Sequence, residues 1–183
     1  MNRQEALETV KKHVKNKNLI KHMLAVEAVM RALAERFGED VDKWGLAGLL
    51  HDIDYDTTAD KPQEHSVLGA RMLEEMELAP DIVYAVKVHN EAHGLPRNSM
   101  MDKALYAADP LTGLIVAAAL IHPSKKIHAI DADFVMNRFG EKSFARGANR
   151  EQIQACSEIG LSLKEFVDLG VKAMQGIAAD LGL

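Results

Sequence analysis

Apolar residues recur every three or four positions along most of this 183-residue chain. Across residues 19–37 they include Val26 and Met30, a spacing that predicts an amphipathic helix ending near Gly38. The same period returns in later segments, including a last helix that follows a capping-box sequence at Ser162. We find neither an internal repeat nor a convincing strand pattern. The sequence therefore predicts an all-α fold.

Proline and polar residues set the predicted boundaries in the first half of the chain. Residues 55–62 are polar and end in a proline, so we expect a loop there. A helix is expected over residues 63–76, with His65 on its apolar face. Pro80 suits the first position of the helix after it.

The dipeptide Asp109-Pro110 predicts a break between one helix over residues 103–108 and another over residues 111–121. In that arrangement Asp109 has an alternative role as the N-cap of the second helix. The longest apolar run, Leu114–Ile121, falls well short of the ~20 residues that a membrane-spanning helix needs. We therefore expect no membrane span.

Composition narrows the class of protein. The net charge of −5 argues against a broad basic surface for a nucleic-acid duplex, but not against a small phosphorylated ligand. A single cysteine, Cys156, excludes an intramolecular disulfide. The polar start of the chain does not resemble a signal peptide. We expect a cytoplasmic protein.

Histidine and aspartate side chains interrupt the apolar faces in several places. A polar group buried without a partner costs several kcal/mol, roughly 2–7. These side chains therefore need either separate hydrogen-bond partners or one partner that they share. Each histidine taken alone favours an ordinary core residue, whereas the set together favours a metal centre. The set comprises His22, His51, Asp52, His65, His89 and Asp109.

The order of these residues resembles the HD-domain superfamily of metal-dependent phosphohydrolases. The string Leu49-Leu50-His51-Asp52-Ile53 is similar to the doublet motif of that family, and the resemblance extends over residues 19–121. His65 and His89, which lie between the doublet and Asp109, are similar to the subset that binds two metals.

The resemblance implies a ligand set and a reaction. His22, His51, Asp52 and Asp109 would hold a first metal, and Asp52 would bridge to a second metal held by His65 and His89. Asp52 would be the central catalytic residue. One or two divalent ions of Fe, Mn, Zn, Co or Ni would suit these mixed imidazole and carboxylate ligands. A metal-activated hydroxide would then attack a phosphate ester or anhydride of a nucleotide-like small molecule.

The resemblance also implies how the chain is divided. Residues 18–125 would form the HD-type metal-binding helical domain, and residues 1–17 an N-terminal helix. Residues 126–183 would form a C-terminal helical extension that packs on the same domain. That extension has an alternative use as a surface for a second copy, so formation of a homo-oligomer stays open.

Two positions depart from the family pattern. Tyr55 stands where many relatives have a lysine that meets the substrate phosphate, and Asn90 stands where some two-metal relatives have a histidine. Loop residues beside the ligands are candidates for substrate contact, with ordinary solvated side chains as the alternative. These candidates are Lys61, His93, Arg97 and Lys103.

Two other functions remain open from the sequence. A di-iron oxygenase of the same fold would use a similar ligand set. A non-catalytic sensor would bind a nucleotide at the same helical pocket without turnover. Bound iron with an O₂-dependent optical change would favour the oxygenase, and saturable nucleotide binding without turnover would favour the sensor. Phosphate release with Mn or Co would favour the phosphohydrolase, which is the function we favour.

Overall fold

The computed structural model describes residues 1–141 and 143–183, and in that part of the chain every regular element is a helix. The all-α prediction is confirmed. The helices are α1 (Arg3–His13), α2 (Lys17–Phe37), α3 (Val41–Leu50), α4 (Tyr55–Thr58), α5 (Val67–Glu75), α6 (Pro80–Val88), α7 (Met100–Ile121), α8 (Ala132–Phe139), α9 (Arg150–Gln154), α10 (Leu163–Gln175) and α11 (Ala178–Leu181). Three short 3₁₀ turns lie at Glu91–His93, Ile127–Ala129 and Ala155–Ile159.

Helix ends follow their capping residues. Gly38 ends α2 in the left-handed conformation, at φ 70°, which a residue without a Cβ adopts at little cost. The predicted capping box at Ser162 is present, with Glu165 as its partner. Pro80 begins α6 as expected. Local sequence signals therefore place these ends correctly.

The core forms around α2 and α7. Helix α2 packs on α3, α7 and α10, and Phe166 of α10 is among the largest fully buried side chains. Helices α2 and α3 approach closely at Gly48, where an added Cβ would lie 2.9 Å from backbone atoms of Glu27. This close approach positions the end of α3, and with it the His51-Asp52 doublet, against α2.

The predicted break at Asp109-Pro110 is wrong, because α7 runs unbroken from Met100 to Ile121. A proline inside a helix leaves the carbonyl four residues earlier without its N–H donor. Here that carbonyl belongs to Tyr106, and it accepts a hydrogen bond of 2.8 Å from the side-chain amide of Gln152. Ser99 caps the helix, so Asp109 is an interior residue and its carboxylate does not act as an N-cap.

Helix α7 also corrects the expectation about apolar length. It is long and apolar enough to cross a membrane, with a mean hydropathy of 1.8 over its best 18-residue window. Of that window, 61% is buried inside the structure. The uninterrupted apolar run Leu114–Ile121 is short, whereas the helix that contains it begins at Met100. Its apolar composition is that of the central core helix.

Two further boundaries differ from prediction. Residues 55–58 form the one-turn helix α4 within the expected loop, and α5 begins at Val67, not at residue 63. His65 therefore lies in the turn before α5. Ser66 follows it at φ 69°, an unusual backbone conformation for a residue with a side chain. The sequence predicts one last helix after Ser162, whereas the structure has two, α10 and α11, in its place.

Candidate metal centre

Five elements bring the predicted ligands to one place between α2, α3, α6 and α7. His22 projects from α2, and Asp109 from the middle of α7. His51 and Asp52 end α3, His89 ends α6, and His65 comes from the turn before α5. We call this set the His/Asp cluster; its members are His22, His51, Asp52, His65, His89 and Asp109.

One half of the His/Asp cluster gathers four ligand atoms. The Nε2 atom of His22 lies 3.2 Å from Nε2 of His51, 3.1 Å from Oδ1 of Asp109 and 3.7 Å from Oδ2 of Asp52. Nε2 of His51 lies 3.4 Å from that same Asp52 oxygen. Four atoms from three helical segments thus surround one point.

The second half uses the other oxygen of the same aspartate. Oδ1 of Asp52 lies 3.4 Å from Nε2 of His65 and 3.5 Å from Nε2 of His89. The two carboxylate oxygens of Asp52 therefore face two different groups of imidazoles. This placement suits a bridging ligand.

Backbone carbonyls fix the orientation of the two buried imidazoles. Nδ1 of His51 donates to the carbonyl of Gly48 at 2.8 Å, and Nδ1 of His89 donates to the carbonyl of Val86 at 2.6 Å. A neutral imidazole that donates from Nδ1 presents a lone pair on Nε2. Both lone pairs are aimed into the His/Asp cluster.

Side chains orient the other two imidazoles in the same way. Nδ1 of His65 donates to Oδ1 of Asp54 at 3.0 Å, and Nδ1 of His22 lies 3.1 Å from the hydroxyl oxygen of Thr112. The Thr112 hydroxyl is itself used as a donor to the carbonyl of Asp109, so it is free to accept from His22. Partners of this kind orient metal-binding histidines.

The donor set fits a metal ion. Metal–nitrogen and metal–oxygen bonds of about 2.0–2.2 Å place neighbouring ligand atoms about 3 Å apart, close to the separations around His22. While both imidazoles are neutral, the two Nε2 atoms at 3.2 Å cannot satisfy each other, because both carry lone pairs, so a proton or a metal ion must lie between them. His22, His51 and Asp109 place their ligand atoms within 4.8 Å of one another, as do His51, Asp52 and His89.

Electrostatics within the His/Asp cluster favour added positive charge. Burial disfavours the His51 imidazolium, but Asp52 and Asp109 outweigh it and raise the pKa of His51 to about 9. Burial acts against the charged form of Asp52 too, yet His51, His89 and His22 hold the pKa of that carboxyl well below its ordinary value. Despite the same burial, neighbouring histidines, His22 first, lower the pKa of Asp109 as well. The carboxylates of Asp52 and Asp109 are therefore ionised at neutral pH and attract a cation, either a proton or a metal ion.

Asp54 supports the site and was missed in the sequence. Its fully buried carboxylate accepts hydrogen bonds from Nδ1 of His65 and from the backbone N–H groups of Ser66 and Gly69, at 2.8–3.0 Å. These bonds hold the positive-φ turn that points His65 at Asp52. The available signal was a second aspartate two residues after Asp52, which resembles an ordinary turn residue.

The two departures from the family pattern lie beside the second half of the cluster. The Tyr55 ring packs edge-on against the His65 ring at 5.0 Å, and its side chain is partly exposed. Burial and the nearby carboxylates raise the pKa of the Tyr55 phenol, so it is a neutral donor at neutral pH. Asn90 donates to the carbonyls of Pro62 and His65 and so braces the turn.

The structure does not bring the four predicted substrate contacts together. Lys61 is exposed and pairs with Glu64, and Lys103 lies half-buried in the first turns of α7. In the described residues, neither side chain forms a hydrogen bond or ion pair with the His/Asp cluster. Their role in binding substrate stays a prediction.

The other two candidates hold local structure. His93 lies with Nε2 2.7 Å from the carbonyl of His65, where it braces the same turn as Asn90. The guanidinium of Arg97 stacks 3.7 Å above the ring of Tyr106. For these residues too, a contact with substrate stays a prediction.

Four histidines and two aspartates meet inside a helical bundle. This arrangement defines a class of all-α proteins with a candidate metal centre between their helices. The model of the family described as "HD domain" matches residues 19–120, more than half of the chain. The chain belongs to the HD-domain family.

Similar proteins carry the name Ribonuclease Y. The one from Lawsonia intracellularis is 29% identical over 103 residues, which are 56% of this chain and 20% of that protein. The one from Desulfotalea psychrophila is 29% identical over 137 residues, covering 73% of this chain and 26% of that protein. The chain thus spans only a small part of the curated relatives that it matches.

Proposed function

We propose that this protein is a metal-dependent phosphohydrolase that cleaves a phosphate ester. In this proposal His22, His51, Asp52 and Asp109 hold a first divalent ion. Asp52, together with His65 and His89, would hold a second ion. The mixed imidazole and carboxylate donors suit Fe, Mn, Zn, Co or Ni better than Mg or Ca.

The observation that carries the proposal is the common direction of four imidazole lone pairs. All four Nδ1 atoms are engaged with oxygen partners outside the cluster, and all four Nε2 atoms face Asp52 or Asp109. A core of ordinary satisfied histidines would instead divide donors and acceptors among its members. The arrangement supports cation binding as the purpose of the site.

Bound cations would supply Lewis-acid activation of water and neutralise charge on the phosphoryl oxygens. The chain itself holds the geometry: Asp52 fixes the two halves of the site relative to each other, and Asp54 fixes His65. In the hydrolysis, a bond forms from the water oxygen to phosphorus and the ester P–O bond breaks. The proton released by water ends on the departing alcohol oxygen or in solvent.

The experiment compares Asp52→Asn with Asp60→Asn. Asp60 is an exposed aspartate eight positions further along, and no hydrogen bond or ion pair of its carboxylate is found in the described part of the chain. With p-nitrophenyl phosphate and Mn²⁺, we expect phosphate release to fall by about 100-fold or more in Asp52→Asn. Bound metal per chain should fall with it, while Asp60→Asn matches the wild type. Full turnover by Asp52→Asn would overturn the proposal.

The substrate class that we propose is a nucleotide-like small molecule. A second candidate function is cleavage of RNA, supported by the name Ribonuclease Y of the similar proteins. It is also supported by an exposed basic segment before His22, in which Lys11, Lys12, Lys15 and Lys17 lie close together. Cleavage of a labelled single-stranded oligonucleotide, with no release of phosphate from mononucleotides, would favour this candidate.

A further inference from the structure

The two halves of the His/Asp cluster are held in different ways. In the first half, His22 lies within α2, His51 ends α3 and Asp109 lies within α7, so packed helices fix these three ligands. In the second half, His65 lies in the turn before α5. The position of its imidazole therefore depends on the groups that bond this turn to the rest of the protein.

One buried carboxylate, that of Asp54, bonds to both the ring and the backbone of this turn. Its Oδ1 atom accepts from Nδ1 of His65 at 3.0 Å, and its Oδ2 atom accepts from the N–H groups of Ser66 and Gly69 at 2.8 and 2.9 Å. The Asp54 side chain is 0% exposed. At Gly69, an added Cβ would lie only 3.3 Å from the carboxyl carbon. The carboxylate is thus confined, with one oxygen on the imidazole and the other on the backbone.

The partner on Nδ1 sets His65 apart from the other histidines of the cluster. In the other three rings, Nδ1 bonds to a backbone carbonyl or to a hydroxyl group. In His65 it bonds to a carboxylate, which only accepts and so keeps the proton on Nδ1 and the lone pair on Nε2. The Thr58 hydroxyl also lies 3.5 Å from this nitrogen, but it donates to the carbonyl of Asp54. A carboxylate in this position also makes an imidazole a stronger metal ligand.

The second half has fewer ligands to lose than the first. Three side chains meet there, since Nε2 of His65 and Nε2 of His89 face the same oxygen of Asp52 at 3.4 and 3.5 Å. Without the lone pair of His65, two ligands remain, fewer than the three protein ligands of catalytic zinc sites. The first half keeps all four of its ligands in that case.

We propose that Asp54 is a positioning residue that selects the tautomer of His65 and thereby decides whether the second half of the cluster binds a cation. This inference rests on the proposed function, because it takes each half to hold one ion. In the part of the chain that the structure describes, no hydrogen bond or ion pair joins the Asp54 carboxylate to a ligand of the first half. An ion in the first half should therefore bind without Asp54.

The variant Asp54→Asn tests the proposal with almost no change of shape. The asparagine oxygen can still accept from the two backbone N–H groups, which places the side-chain NH₂ group against Nδ1 of His65. An NH₂ group only donates, so Nδ1 must accept and the proton of the neutral ring moves to Nε2. The matched control is Asp102→Asn. Asp102 is also buried and accepts from two backbone N–H groups, and within the described residues it has no hydrogen bond to an imidazole.

The first measurement is Mn²⁺ binding by isothermal titration calorimetry, with the number of ions per chain checked by elemental analysis. We expect two ions in the wild type and in Asp102→Asn. In Asp54→Asn, one ion should bind with the wild-type affinity, and the affinity for the second should fall by about 10–100-fold. Electron paramagnetic resonance adds a signature that lower stability alone would not produce. At a Mn²⁺ concentration that fills both halves of the wild type, we expect a coupled pair of ions there and one isolated ion in Asp54→Asn.

The second measurement needs no metal. Long-range ¹H–¹⁵N NMR spectra of the metal-free protein show which ring nitrogen carries the proton, and a His65→Gln variant assigns the signals of the His65 ring. At a pH at which this ring is neutral, we expect the proton on Nδ1 in the wild type and on Nε2 in Asp54→Asn.

The outcomes separate this inference from the proposed function. Two ions bound by Asp54→Asn with unchanged affinities would overturn the inference, and so would a neutral wild-type His65 ring with its proton on Nε2. Loss of both ions in Asp54→Asn, with both retained in Asp102→Asn, would also overturn it, because the effect would not be selective. A wild type that binds no ion would overturn the proposed function instead, and the NMR spectra would still test whether Asp54 controls the tautomer.

Discussion

The hydrogen bond between Gln152 and the carbonyl of Tyr106 predicts a specific energetic coupling. Pro110 removes the N–H that this carbonyl would otherwise accept from, and Tyr106 is buried. Replacing Gln152 with alanine leaves the carbonyl without a partner, which costs about 1–3 kcal/mol in the free energy of unfolding. In a Pro110→Ala background, residue 110 regains its N–H and can donate to Tyr106 four residues earlier.

The two substitutions should therefore be non-additive. We expect Gln152→Ala to cost about 1–3 kcal/mol with Pro110 present but less than about 1 kcal/mol in the Pro110→Ala background, a coupling of about 1–2 kcal/mol. Urea unfolding followed by far-ultraviolet circular dichroism, with a chelator to remove any contribution from bound metal, measures it. Gln154→Ala, an exposed neighbour in α9, is the control. Additive effects would refute this account of how α7 tolerates its proline.

Other predictions concern the frame of the site. Asp54→Ala leaves two buried backbone N–H groups unpaired, so unfolding by urea should show a loss of about 2–6 kcal/mol, with little change in Asp60→Ala. Gly48→Ala should destabilise the fold, because its Cβ would lie 2.9 Å from the backbone of α2, whereas Gly113→Ala should raise stability by about 0.5–1 kcal/mol. Equal effects in the two glycine variants would refute the packing argument. Cys156 is buried and its pKa is raised by burial, so at about pH 8 its thiol should react with Ellman's reagent only after unfolding. Rapid reaction of the folded protein would contradict that placement.

Much of the fold was accessible from the sequence because helix signals are local. The apolar period of α2, the left-handed glycine at its end and the capping box of α10 each depend on residues within a few positions. The predicted helix break at Pro110 is wrong because the continuity of α7 depends on a residue that is distant in sequence. The compensation comes from Gln152, 46 residues beyond the carbonyl of Tyr106, and no local pattern carries that information.

The candidate ligands were accessible because histidines and aspartates stand out on apolar faces. The turn that carries His65 was not, because its conformation depends on the Asp54 carboxylate and on the positive φ of Ser66. Asp54 itself looks like a solvated turn residue until the backbone around it is known. The cavity between α2, α7 and residues 181–183 could not be predicted either, because its wall joins segments that are far apart in the sequence.

The central claim is that the His/Asp cluster holds divalent cations. Anomalous diffraction from crystals grown with Mn²⁺ tests it most directly. We predict one peak among His22, His51 and Asp109, and a second beside His65 and His89, with Asp52 between the two. An anomalous difference map with no peak at either position would contradict the claim, as would imidazoles that are bonded only to protein or water.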